Sequence, residues 1–172
     1  PPGVTQEMIP ELLRNLSEDQ LKVITWRPPQ VGNFFPNGLF EFVYIPTPDG
    51  VVGVMALHAY VPKGPDKLEF VNWILAEKDT PPELKATMLR LGVQLLGTSG
   101  MVEQDDSDTW PHQTIAAKGA VSKHITLKYQ AMYETGKPEG WPGPGDVGDG
   151  FTKDDTQWRW WQYWHELMTA ES

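Results

Sequence analysis

The stretch LFEFVYIPTPDGVVGVMALHAYVPKGPDKLEFVNWILAE, Leu39 to Glu77, decides the fold. Within it, residues 39–45, 51–61 and 67–77 are rich in β-branched and aromatic side chains and follow a period of two. PTPDG and then PKGPD separate them, and both have turn chemistry. Three strands joined by such short connections form an antiparallel meander. In the third, Leu68, Phe70 and Ile74 alternate with Val71, Trp73 and Leu75, so both faces are apolar. A sheet of that kind is covered on at least one side.

The flanks carry a different period. Upstream, Met8, Leu12 and Leu13 form a short helical stripe, and Leu16 precedes Ser17-Glu18-Asp19-Gln20, a capped start for a second turn. TWRPPQVGNFFPNG, residues 25–38, reads as an irregular, closely packed loop. Downstream, Thr80-Pro81-Pro82-Glu83 has the form of a capping box, and Leu84, Met88, Leu91 and Leu95 recur at helical spacing, which predicts a helix over 81–96. GTSG interrupts it at 97–100, and MVEQDDSDTW then resumes as a helix or a tight turn. Residues 113–133 hold no single period and admit short strands around Ile115 and Ile125–Tyr129. PEGWPGPGDVGDG, 138–150, is a Gly/Pro loop. The last segment, TKDDTQWRWWQYWHELMTA, predicts a helix capped by Thr152 with Asp154 and Asp155 at its start, placing Trp161, Trp164 and Met168 on one face. Together these predict a single domain over 1–172 of the α+β class, an antiparallel sheet with packed helices.

Composition narrows the function classes. With 172 residues, the chain can bury a real core, and eight Trp call for large apolar surfaces. A formal charge of −9 and the lack of a basic patch argue against nucleic acid as a partner. The chain has no Cys, which excludes disulfides, thiolate zinc and a cysteine-held iron–sulfur cluster within it and fits a cytoplasmic location. No run approaches the roughly 20 apolar residues of a membrane span. The start, PPGVTQEM, carries no initiating Met and reads as a processed or excised piece.

The chemistry concentrates in GMVEQDDSDTW, Gly100 to Trp110, where Glu103, Asp105, Asp106 and Asp108 crowd together. An EF-hand is a poor match, because the central Gly and the Glu at position twelve are missing. Two readings remain. A run of acids is commonly a solvated surface or a helix start. Alternatively one acid turns inward as a metal ligand. On a helix, neighbours diverge by about 100°, so Asp105 and Asp106 do not share an interior face. A carboxylate with two imidazoles is the donor set of non-haem Fe(II) oxygen chemistry. The four histidines, His58, His112, His124 and His165, form no H-x₃-H or H-x₄-H pair. They read as packed or surface residues, with His112 the least improbable exception.

GNFFPN, then ILAEKDTPPELK, then GTSGMVEQDDSDTW, then the terminal Arg159-Trp160-Trp161-Gln162-Tyr163-Trp164 through Met168, in this order and spacing, resemble the C-terminal part of the catalytic domain of Rieske-type aromatic-ring-hydroxylating oxygenase α subunits. The resemblance covers about residues 10–170, nearly the whole chain. It implies a Bet v1-like, helix-grip catalytic domain with mononuclear Fe(II) beneath the long helix. It makes Asp106 the carboxylate iron ligand and catalytic residue, with Glu103, Gln104 and Asp105 as its setting. It assigns Leu96, Met101 and Val102 to the wall of an aromatic substrate pocket. The family's two histidine ligands and its Rieske [2Fe-2S] domain lie in upstream segments that this sequence does not contain, so the chain is expected to be a fragment, inert alone. Thr98-Ser99 also stand where Pro-Ala is common. The implied partners are an aromatic small molecule and O₂, an electron-transfer ferredoxin or reductase, and further subunits in a trimer or an α/β hetero-oligomer. Other classes remain open beside it: a non-catalytic helix-grip carrier of a hydrophobic ligand, or an assembly module using exposed Trp.

Overall fold

The computed structural model describes residues 4–26, 31–126, 139–144 and 154–170. The chain divides into two compact units, one comprising Pro1–Thr5 with Pro29–Ile125 and the other Gln6–Pro28 with Thr126–Ser172.

The first unit is built on one antiparallel sheet of four strands: β1 (Val31–Phe34), β2 (Gly38–Thr47), β3 (Gly50–Gly64) and β4 (Lys67–Leu75), in that spatial order. The predicted meander is β2–β3–β4. β2 and β3 pair without a break from Gly38↔Ala59 to Thr47↔Gly50. Pro48 presets the turn, and Gly50 takes φ +132°, a region L side chains rarely adopt. β1 corrects the expectation of an irregular loop over 25–38, since Val31–Phe34 pairs with Gly38–Glu41 across a tight reversal. Asn37 continues that edge: its Nδ2 donates to the Tyr60 carbonyl at 2.8 Å, and its carbonyl accepts from Tyr60 N–H at 2.9 Å.

Burial along β3 alternates, with Val54, Ala56 and His58 buried and their neighbours only half-buried. Through the strand pairing the same face carries Val43, Glu41 and Leu39 from β2, and Ile74, Asn72 and Phe70 from β4. Helix α3 (Pro82–Leu96) lies across this face. Gly92 is what lets it come close: a Cβ there would stand 2.8 Å from Ile74 Cδ1. Leu96 ends the helix fully buried. The helix matches the predicted span, but the capping box does not form. Pro81 is the N-cap, and no side chain caps the helix. Thr80 sits one position too early, its N–H turned to the Glu77 carbonyl at 3.1 Å.

The end of α3 sets the position of the helix that follows it. A helix leaves its last four carbonyls without intrahelical partners. Here Val93 O accepts from Gly97 N–H, Gln94 O from Met101 N–H and Leu95 O from Val102 N–H, each at 3.0 Å. Leu96 O accepts from Asn72 Nδ2 at 2.6 Å, a bond that ties the helix end to the sheet. The chain is therefore folded back tightly before it enters α4 (Glu103–Ala117). Pro111 lies inside α4 and donates no backbone bond, while the Ser107, Thr109 and Thr114 hydroxyls each donate to the carbonyl four residues earlier. Ile115 is an exposed residue of this helix, which corrects the expected strand there. A single 3₁₀ turn, Ser122–His124, follows. Of the expected strand at Ile125–Tyr129, residues 127–129 lie outside the described residues.

The second unit contains α1 (Ile9–Asn15), α2 (Glu18–Trp26) and α5 (Asp155–Thr169). The expected cap of α2 is present in both directions: Gln20 N–H donates to Ser17 Oγ at 3.2 Å, and Ser17 N–H to Gln20 Oε1 at 2.8 Å. Ser17→Ala removes both the acceptor and the order of that turn. It is expected to lower stability by about 1 kcal/mol, read as a shift in the urea midpoint at constant m. In α5, Trp161 meets Trp164 edge-to-face at 5.6 Å and Trp160 at 5.0 Å, consistent with the predicted shared face. Thr152 falls outside the described residues, and Asp154, at the N-cap, makes no side-chain cap bond. Among the described residues, no helix is long and apolar enough to cross a membrane.

Candidate functional site

The buried face of the sheet is apolar except at one place. Glu41 on β2 stands opposite Ala56, and His58 lies two residues further along β3 on the same face. Diagonal neighbours across an antiparallel pair are within reach of long side chains. Glu41 Oε2 accordingly comes within 3.5 Å of His58 Nε2. From above, the first residue of α4 points down onto the same ring, with Glu103 Oε1 at 3.9 Å from His58 Nδ1. His58 is 1% exposed and Glu103 6%, an unusual depth for both. Both ring nitrogens of His58 are buried without a hydrogen-bond partner, and so is Oδ1 of Asn72, the register partner of His58 on β4.

An aromatic cluster holds α4 over this end of the sheet. Trp110 packs edge-on against Tyr60 at 5.6 Å and Phe70 at 6.0 Å, and Phe70 lies 5.2 Å from the His58 ring. Burial dominates the electrostatics. It pushes the Glu41 carboxyl up, the His58 imidazole down, and the Glu103 carboxyl up, with the charges of Glu41 and Asp106 adding to the last. Tyr60 is pushed up to about 12, first by burial and then by Glu103, Asp106 and Glu41, so it stays a neutral phenol. One oxygen from each glutamate and one His58 ring nitrogen lie within 4.8 Å of one another, a grouping able to hold a metal ion.

The residues singled out in the sequence fall around this group unevenly. Asp106 stands on the first turn of α4 and is exposed, close enough for its charge to act on Glu103 and Tyr60. Among the described residues it makes no hydrogen bond or ion pair, which leaves its carboxylate oxygens available. Gln104 and Asp105 are exposed as well. The buried acid of the segment is Glu103. Leu96 is buried under the end of α3, whereas Met101 is 80% and Val102 42% exposed. His112 is an exposed residue whose ring Nδ1 lies 2.7 Å from the Asp108 carbonyl. Glu41 and His58 were not singled out as site residues. Their only signal is that each is the polar member of an otherwise apolar inward set, Leu39/Val43 and Val54/Ala56.

Fold and site define an α+β module that presents carboxylates from a helix start over the buried face of an antiparallel sheet. No protein-family model matches the chain. The chain is 25% identical over 130 residues to the biphenyl dioxygenase subunit alpha of Metapseudomonas furukawaii, covering 74% of this chain and 28% of that protein. It is 23% identical over 164 residues to the N,N-dimethyl phenylurea N-demethylase subunit alpha of Sphingobium sp. strain YBL2, covering 92% and 35%. It superposes on the crystal structure of naphthalene 1,2-dioxygenase from Rhodococcus sp. bound to indole with a TM-score of 0.83 and 30% identity, over 99% of this chain and 39% of that one. These likenesses support reading the chain as a fragment of a Rieske-type aromatic-ring-hydroxylating oxygenase α subunit. It spans about a third of the length of these relatives.

Proposed function

We propose that this chain is the C-terminal part of the catalytic domain of an oxygenase that uses O₂ and mononuclear Fe(II) to hydroxylate an aromatic small molecule. What supports the reading is the likeness to naphthalene dioxygenase along the chain, with the E-x-D-D segment seated on the first turn of α4. The available carboxylate of Asp106 fits the anionic ligand that such a centre needs, and the two imidazoles come from a segment outside this sequence. Ferrous iron, when bound, supplies the redox chemistry that activates dioxygen toward the ring. The residues of this chain do the rest. Asp106 neutralises one positive charge, with Glu103, Gln104 and Asp105 as its setting. Leu96, Met101 and Val102 offer apolar surface to the substrate and keep water from it. Tyr60 holds its proton throughout the neutral range.

The proposal extends to the assembly. Any Rieske [2Fe-2S] cluster lies outside this sequence, which has no Cys. A ferredoxin or reductase delivers electrons, and the intact subunit works in the cytoplasm as a trimer or an α/β hetero-oligomer. A metal-free carrier of hydrophobic ligands is not favoured, because the relatives are named as dioxygenase and demethylase subunits. The test is product analysis. The intact protein, supplied with electrons and an arene such as biphenyl, is expected to release a cis-dihydrodiol or a phenol. Enlarging Val102 to Phe is expected to change the ratio of ring positions oxidised by about tenfold, the scale of a one-group change in an apolar pocket. Unaltered ratios across a bulky series at Val102 and Met101 would count against their place in the pocket wall.

A further inference from the structure

We propose that Glu41, His58 and Glu103 form a divalent-cation site of their own, separate from the carboxylate of Asp106. The three come from β2, β3 and the start of α4, so the site exists only when sheet and helix are assembled. Its donors lie within 4.8 Å of one another. Ligands on opposite sides of a first-row divalent ion stand roughly 4 Å apart, so the group needs only a small contraction to close on one.

The strongest support for a cation here is His58. It is 1% exposed, faces a carboxylate on each side, and has no hydrogen bond at either ring nitrogen. Buried polar groups are nearly always paired, and a buried imidazole between two carboxylates with neither bond formed calls for something that binds them together. Asn72 Oδ1, buried and unpartnered at the paired position of β4, repeats the same deficit beside it. A dication meets the need at His58. Two carboxylates neutralise its charge, and one ring nitrogen ligates it. The other ring nitrogen then carries the proton, as in metal-bound imidazoles generally. One nitrogen and two oxygen donors, with no thiolate, select a hard to borderline ion of the Mn²⁺, Fe²⁺ or Zn²⁺ kind over a soft one. The site stands whether or not Asp106 holds iron.

Titration of the chelator-treated 172-residue chain with Mn²⁺ tests this, with free Mn²⁺ read by electron paramagnetic resonance and Zn²⁺ as competitor. One Mn²⁺ per chain is expected, displaced by Zn²⁺. Loss of a direct ligand in His58→Ala or Glu41→Gln should weaken binding by at least the roughly 100-fold seen for outer partners of metal ligands. Asp106→Ala should weaken it by about fivefold at most, the reach of one exposed charge. Wild-type protein gives an independent reading that needs no variant to fold: bound Mn²⁺ should broaden the ring resonances of His58 more strongly than those of His112, which lies further along α4. The absence of stoichiometric binding overturns the inference, and so does broadening centred on another histidine. Binding lost in Asp106→Ala but intact in His58→Ala also overturns it, while leaving the oxygenase reading in place.

Discussion

Asp106→Ala in the intact α subunit is expected to abolish turnover and deplete the mononuclear iron while leaving the Rieske spectrum unchanged. Removing a direct ligand should cost more than the about 100-fold typical of its outer partners. The structure makes this substitution a clean one. Asp106 is exposed and makes no hydrogen bond or ion pair among the described residues, so its loss removes no contact that holds the fold. Exposed positions of this kind change stability by about 0.5 kcal/mol or less, and Ala is the better helix former. Denaturation midpoints should therefore stay level while activity and iron content collapse. Full iron occupancy and normal turnover in the variant would remove Asp106 from the site.

Gly100→Ala should do the reverse, damaging the fold first. Gly100 sits inside the reversal between α3 and α4, where Leu95 O and Gly97 O would stand 2.5 and 2.7 Å from an added Cβ. Both are backbone oxygens, and Leu95 O is the acceptor for Val102 N–H. Neither can yield as a side chain would. The chain must open the turn, and that pulls Met101 and Val102 away from the end of α3. Overpacking of this sort costs about 3 kcal/mol at the upper end of its usual range. An exposed neighbour, Thr98→Ala, serves as the control and should stay within about 0.5 kcal/mol of wild type. Urea unfolding of the pair decides it: equal midpoints would mean that the reversal has room that the structure denies.

How much of this was legible depends on the range of the interaction involved. The β2–β3–β4 meander was readable because alternation and turn residues are local signals, and they agree. β1 was not, because VGNF offers a Gly, an Asn and too few residues to show a period. Its pairing is decided by the free edge of β2. The α4 helix was readable only as helix or turn. Ser107, Asp108, Thr109 and Pro111 all weaken local propensity, and the packing of Trp110 on Tyr60 and Phe70 outweighs them. The acidic segment stood out as a motif, and only the family resemblance singled out Asp106 within it. The buried trio stayed hidden for a geometric reason. Both faces of the meander are apolar, so no pattern says which face turns inward. Glu41 and His58 become neighbours only once the register Glu41↔Ala56 is known.

That register also bears on the order of assembly. Glu41 and His58 ride on the two arms of one hairpin, paired without interruption down to a two-residue bend at Pro48-Asp49. Contacts between residues close along the chain need little loop closure, so they form early and rapidly. Glu103 arrives from beyond β4 and α3, after the slower docking of a helix on a finished sheet. A nascent chain thus carries two members of the trio before the third arrives, and the final carboxylate reports that folding of this region is complete.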